Sequence, residues 1–351
     1  METQAKELNA PVRVLVTDDS PTVRLMLCRM LEDDHGIEVA GTAANGREAV
    51  EKVETLAPDI VTMDVNMPVM DGLTAIENIM AYHPVPILVI SSVVDREHTS
   101  NAARALGAGA VDVLPKPVPD DEQDLEALAS ELRTKVKLLA KVRVITHPRA
   151  RLVGRAGKTP APLPASARRL VAIASSTGGP QALMTILSGL PGDLRAGIVV
   201  VQHIARGFTE GLVQWLDSNT KLKVRQGKDG EPVGMGEVVI APDSIHMIVE
   251  KENQIRLVDR RVPSPHKPSA DVLLESVAYS CGANAIGVIL TGMGRDGASG
   301  IRAIHGGGGH TIAQDEETSV IFSMAKEAIQ LGGVERIAPI QDIGGIIMGW
   351  V

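Results

Sequence analysis

The chain has 351 residues, 44% of them hydrophobic but only 2% aromatic, and a formal net charge of -8. That length exceeds one ordinary core and favours two domains, while the scarcity of stacking rings and the acidic balance argue against a nucleic-acid binder. The cores must be built from Val, Ile, Leu, Ala and Met, which suits parallel strands covered by helices on both faces.

The stretch from Met1 to Ala10 is polar with charges of both signs and lacks the basic-then-apolar layout of a signal peptide. No apolar run approaches the length of a membrane span, so the expected location is cytoplasmic. Cys28 and Cys281 lie far apart without a Cys or His at metal-ligand spacing, and they read as buried thiols in a reducing compartment.

Between Val12 and Lys141 a short apolar strand, a polar turn and an amphipathic helix repeat. Strands are expected near 12–17, 37–43, 59–65, 86–92 and 110–114, which predicts a doubly wound, five-stranded parallel sheet. Polar groups at the carboxyl ends of such strands converge. The first strand ends in Asp18 and Asp19, the third in Asp64, the fourth in Ser91 and Ser92, and the fifth meets Lys116. Three carboxylates around one point repel one another unless a hard cation joins them, and oxygen-only ligation suits Mg²⁺. Lys116 offers a point charge for a phosphoryl oxygen, the Ser91 hydroxyl can track its presence, and Asp64 is free to become an acyl phosphate.

These pieces, Val16-Thr17-Asp18-Asp19-Ser20, Met63-Asp64-Val65-Asn66-Met67-Pro68, Met70-Asp71-Gly72, Ser91-Ser92 and Pro115-Lys116-Pro117, resemble the receiver domain of bacterial two-component response regulators over roughly residues 11–140. The resemblance implies a flavodoxin-like receiver at 1–140 and phosphorylation of Asp64 by a chemotaxis histidine kinase. It also implies Mg²⁺ held by Asp18 or Asp19, Asp64 and the backbone oxygen of Asn66. Val113 stands where an aromatic residue often precedes the lysine, which leaves Ser91 as the group that reorients.

Between Glu131 and Asp193 no acidic residue occurs, while 143–169 holds Arg143, Arg149, Arg151, Arg155, Lys158, Arg168 and Arg169 among four prolines. Residues 141–169 therefore read as a basic, Pro-containing linker. It serves equally as a solvated tether or as a dock for an acidic partner. Strand–helix alternation then resumes, with strands expected near 170–175, 197–202, 285–291 and 310–314, and 236–259 reads as an inserted β meander or hairpin.

Residues Val171 to Pro180 are a buried-strand run that breaks into hydroxyls and glycines before a helical pattern. Such a turn can cradle a phosphate or present a nucleophile. A phosphate loop would carry a lysine, which Gly178-Gly179-Pro180-Gln181 lacks, and a dinucleotide site would want an acid where the next strand ends in Gln202-His203. The nucleophile reading gains from that same histidine. Ser176 occupies the elbow position of Ala174-x-Ser176-x-Gly178, and His203, closing the adjacent strand, is the best-placed general base among nine histidines. His246 reads as structural, His305 and His310 as turn residues, and His147 lies in the linker.

Asp296, in the glycine-rich turn after the strand at 285–291, is the candidate orienting carboxylate, with a helix cap before Ala298 as its bland alternative. The N–H groups of Met293 and Thr177 can form an oxyanion hole.

The segments Ser175-Ser176-Thr177-Gly178-Gly179, Val201-Gln202-His203-Ile204, Gly207-Phe208-Thr209, Lys267-Pro268-Ser269-Ala270-Asp271, Leu290-Thr291-Gly292-Met293-Gly294-Arg295-Asp296-Gly297 and Ala313-Gln314-Asp315 look like the chemotaxis receptor methylesterases of the CheB type. The resemblance covers essentially the whole chain. It implies a catalytic domain at 170–351 in which Ser176 attacks, His203 acts as base and Asp296 orients it, with no cofactor in the esterase site. The implied substrates are methylated glutamates of chemoreceptors, and receptor glutamines for deamidation, with the unphosphorylated receiver restraining the hydrolase. Ser175 stands where Gly is commoner and Ala325 where a Pro often follows Met324. An esterase for a protein outside chemotaxis, or a catalytically degenerate, phosphorylation-controlled binding module, are the competing readings.

Overall fold

The computed structural model describes residues 10–92, 96–117, 122–142, 169–259 and 266–351. The chain divides into two compact units, Met1–Arg151 and Leu152–Val351. Most of the expected linker, 143–168, lies outside the described residues.

The first unit runs β1 (Val12–Thr17), α1 (Pro21–Glu32), β2 (Ile37–Ala43), α2 (Gly46–Leu56), β3 (Ile60–Met63), α3 (Gly72–Tyr82), β4 (Ile87–Ser91), α4 (Arg96–Ala108), β5 (Asp112–Pro115) and α5 (Glu122–Leu139). Its five strands pair in parallel in the order β2-β1-β3-β4-β5. The helices start where side chains satisfy the first free N–H groups. Ser20 accepts from Val23 N, Asp71 from Thr74 N, and Asn45 from Glu48 N while the Glu48 carboxylate returns to Ala44 N. Strand order reverses between β1 and β3, the place where ligands sit in such sheets.

The second unit runs β6 (Arg169–Ser175), α6 (Gly179–Ser188), β7 (Ala196–Gln202), α7 (Thr209–Asn219), β8 (Lys223–Gln226), β9 (Glu237–Ile240), β10 (His246–Val249), β11 (Ile255–Val258), α8 (Ala270–Cys281), β12 (Ala285–Ile289), α9 (Ala298–Gly306), β13 (His310–Gln314), α10 (Met324–Gln330), β14 (Arg336–Ala338) and α11 (Ile340–Trp350). Its main sheet has the order β14-β13-β12-β6-β7-β9-β8. β6 is buried along nearly its whole length, and alternate residues serve the two faces. Val171 and Ile173 pack with α6, α7 and α11, whereas Leu170, Ala172 and Ala174 pack with α8, α9 and α10. Each fully buried Val, Leu or Ile contributes about 1.5–3 kcal/mol relative to exposure.

Of the segments expected as an insertion, β10 and β11 form the antiparallel hairpin, with Met247 opposite Leu257. β9 instead joins the main sheet beside β7. Its Val-Val-Ile run, buried throughout, is that of a central strand rather than of a half-exposed hairpin. Edge strands β8 and β14 were not expected. They are short, and Lys223, Arg225 and Arg336 give them the charged character that protects sheet edges. No helix among the described residues is long and apolar enough to cross a membrane.

Candidate functional site

In the second unit, the chain passes from β6 to one side of the sheet and returns through β12 on the other, so the crevice opens at the carboxyl ends of β6, β7 and β12. Ser175 is in register with Gln202, and His203 N donates to Ser175 O at 2.8 Å. Ser176 and His203 are thereby the first residues beyond two adjacent strands. Ser176 N donates to Thr291 O at 3.0 Å, which ties the same turn to the end of β12.

The glycines around Ser176 answer to close approach. Gly178 has φ +77°, a left-handed conformation that disfavours a side chain. A Cβ on Gly179 would lie 2.0 Å from Gln202 Oε1, and one on Gly292 would lie 2.7 Å from Ser176 Cβ. Gln202, not singled out from the sequence, is the staple of this turn. Its oxygen accepts from Ser175 Oγ at 2.6 Å, and its nitrogen donates to the carbonyls of Ser176 and His203, both at 2.8 Å. The serine at 175 thus has a partner that glycine could not supply. Its signal in the sequence was only a polar residue closing a wholly apolar strand.

His203 Nε2 stands 2.9 Å from Asp296 Oδ2. The contact has the distance of an ion pair but not the alignment of a hydrogen bond, and neither ring nitrogen has an aligned partner among the described residues. No hydrogen bond joins Ser176 Oγ to the ring among the described residues; catalytic contacts often tighten only when substrate is bound.

Asp296 does not cap α9, whose N-cap is Gly297 without a side-chain bond. It sits at the start of α8 instead, accepting from Ser269 Oγ at 2.8 Å, Ala270 N at 2.7 Å and Asp271 N at 3.2 Å. Burial pushes its proton affinity up, but the His203 contact and these donors outweigh burial and hold its pKa down at about 2. The helix cap expected of Asp296 falls to Asp271, whose Oδ1 accepts from Gly297 N at 3.0 Å and Gly300 N at 2.8 Å. The two turns therefore cap each other's helices through exchanged carboxylates.

Met293 is half-buried in the turn after β12. Its neighbour Gly294 N is committed to Ser323 Oγ at 2.9 Å, whereas no described hydrogen bond uses the Met293 N–H. Thr177 is buried, and its carbonyl accepts from Thr291 Oγ1 at 3.0 Å. His246 touches the start of α8, accepting from Ser269 N at 3.2 Å. His266, which the sequence reading passed over, lies flat against His203 with ring centroids 4.3 Å apart.

In the first unit the strand ends bring Asp18, Asp19 and Asp64 together, with one oxygen from each lying within 4.8 Å of the others. Asp18 and Asp64 are buried and Asp19 is exposed, so the cluster opens to solvent on one side. Lys116 Nζ lies 2.8 Å from both Asp18 Oδ2 and Asp64 Oδ2. Burial raises the Asp64 pKa, Lys116 opposes this, and the like charge of Asp18 adds to it. Ser91 Oγ is buried without a partner in the described structure, as is Thr17 Oγ1. Asn66 N is 3.4 Å from Asp64 Oδ1, and its side chain accepts from Asn101 Nδ2 at 3.2 Å. An oxygen-only cluster with orphaned buried polar atoms fits a hard divalent cation and its water shell. Gly72 is fixed by this site too, because a Cβ there would lie 2.0 Å from Asp64 O.

Comparison with known proteins follows the same division. Residues 14–129 match the response regulator receiver domain family and residues 171–347 match the CheB methylesterase family. A protein-glutamate methylesterase/protein-glutamine glutaminase of Anaeromyxobacter dehalogenans is 44% identical over 335 residues, covering 95% of each chain. One from Paramagnetospirillum magneticum is 42% identical, covering 96% of this chain and 95% of that one. The solved catalytic domain of Thermotoga maritima CheB methylesterase is 38% identical, with a TM-score of 0.52, over 53% of this chain and all of that domain. With a receiver sheet ending in an acidic cluster and a second sheet ending in Ser176 and His203, the chain belongs to the CheB methylesterase family.

Proposed function

We propose that the chain is a phosphorylation-regulated protein-glutamate methylesterase with glutamine deamidase activity, acting on the cytoplasmic domains of methylated chemoreceptors. The observation that carries this reading is the 2.9 Å contact between His203 and a carboxylate held ionised, one strand from Ser176. With Nε2 facing Asp296, Nδ1 is the nitrogen left for Ser176. Ser176 Oγ attacks the γ-carbonyl carbon of the glutamyl methyl ester and its proton passes to His203. The developing oxyanion is met by the Met293 and Thr177 N–H groups. The C–O bond to methoxide breaks as His203 returns the proton, releasing methanol. Water then attacks the acyl-enzyme, its proton moves to His203, and the carboxylate and Ser176 are freed. An amide follows the same path with ammonia as leaving group.

Residues 1–140 act as the receiver, 141–169 as the linker and 170–351 as the catalytic domain. Asp64 accepts the phosphoryl group from a chemotaxis histidine kinase, with Lys116 and Ser91 contacting its oxygens. Asp18, Asp19, Asp64 and the Asn66 carbonyl would hold Mg²⁺, whose charge offsets that of the incoming phosphoryl group. Methanol release from methylated receptors, with and without acetyl phosphate and Mg²⁺, tests the whole reading. Turnover that rises on phosphorylation and vanishes in Ser176→Ala supports it. Turnover that survives Ser176→Ala removes the nucleophile assignment, and none in the wild type leaves a binding module. Deleting 1–140 relieves the restraint, so unchanged or lower turnover after deletion would refute receiver control by restraint.

A further inference from the structure

We propose that His266 is a positioning residue for the proposed base: its ring lies flat on the His203 imidazole and supports it, and the positive charge it gains, through an aromatic face. The inference rests on the reading of His203 as the base. The rings are 4.3 Å apart between centroids and 18° from parallel. His203 has no aligned hydrogen bond at either nitrogen among the described residues. The groups that meet its ring are Asp296 at one nitrogen and His266 across one face.

When His203 takes the Ser176 proton it becomes a cation over a neutral ring, and a cation over an aromatic face is attracted. The support requires His266 to stay neutral, since two imidazoliums at this spacing would repel. Burial first, and then His203, lowers its proton affinity, with Asp296 acting the other way. Among the described residues, the adjacent Lys267 pairs with Asp259, and His246 accepts from Ser269 N. Two segments thus converge on the His203 ring, the turn after β12 and the entry to α8.

Full-length His266→Phe, His266→Ala and His266→Gln are compared with wild type in methanol release from methylated receptors across pH. The phenylalanine variant keeps the flat face and is expected to hold kcat within about threefold. The alanine and glutamine variants lose about five- to tenfold in kcat with little change in KM. Their acid limb moves to lower pH, because the imidazolium has lost its support. A phenylalanine variant as impaired as alanine would mean that a ring nitrogen is needed and overturns the stacking role. Alanine and glutamine variants with the wild-type kcat and pH profile overturn it as well. Should alanine fail to fold, glutamine carries the comparison. Absence of turnover in the wild type strikes the proposed function alone, and no His266 variant can mimic that result.

Discussion

Asp64 and Asp296 are both buried acids near the carboxyl ends of parallel strands, yet their surroundings drive them in opposite directions. Asp64 faces the Asp18 carboxylate and Lys116, and burial, with the like charge of Asp18, raises its pKa against the pull of Lys116. Asp296 is met by three donors at the start of α8 and by His203, and stays ionised with a pKa of about 2. One site keeps three carboxylates against a single lysine, which suits the cation-binding and phosphoryl-accepting role proposed for Asp64. The other already has its donors in place, which suits the orienting role proposed for Asp296. The same sheet architecture supports both because the residues following each strand decide what the crevice does.

Asp296→Asn preserves shape but loses the charge that supports the His203 imidazolium, and kcat should fall about 10³- to 10⁴-fold. Phosphorylation of Asp64 by radiolabelled acetyl phosphate should proceed as before; a matching loss there would show that the sites are not independent in chemistry. The reciprocal variant, Asp64→Asn, should take up no label and lose all stimulation by phosphodonor while unstimulated methanol release persists. Loss of both would contradict a purely regulatory role for Asp64.

Gln202→Ala is expected to have a smaller effect, lowering kcat about 10- to 100-fold, because Ser175 Oγ and two carbonyls lose their buried partner and the turn carrying Ser176 relaxes. Stability should fall by about 1–3 kcal/mol for the same reason, read as a lower Tm. Wild-type kcat with a lower Tm would make Gln202 a purely structural staple.

Both parallel sheets and the strand-end residues were legible in the sequence because fully buried strands write themselves as unbroken Val, Ile and Leu runs, and polar residues stand out where such runs stop. Ser176, His203, Asp18 and Asp64 are visible in that way. Asp271 and His266 are not, since each acts on a residue distant in the chain through a helix start that no periodicity reveals. Ser269-Ala270-Asp271 resembles an ordinary capping sequence, and only folding shows that Asp296 arrives there from the turn after β12. The strand at 237–240 reads locally as part of a meander but pairs with β7 and β8, for a related reason. Sheet partnership depends on where the chain returns, not on local pattern.

Asp271 has a pKa raised to about 6 by burial and then by the charges of Asp296 and Glu275, against the donors Gly300 N and Gly297 N. Its folded-state pKa lies above the ordinary value of 3.8, so the native state holds the proton more tightly than the unfolded chain. Stability from this group is therefore greatest below pH 3.8 and is lost as pH rises through about 6. Asp296 has the opposite sign: its contribution is present above pH 3.8 and lost as pH falls towards about 2. Asp271→Asn keeps an oxygen facing the α9 start but cannot ionise. Its Tm relative to wild type should be higher at pH 7.5 than at pH 4.5, a difference thermal melts at the two pH values will read. A constant offset would mean that Asp271 is ionised throughout this window, and that the two exchanged carboxylates share one electrostatic character instead of opposing each other.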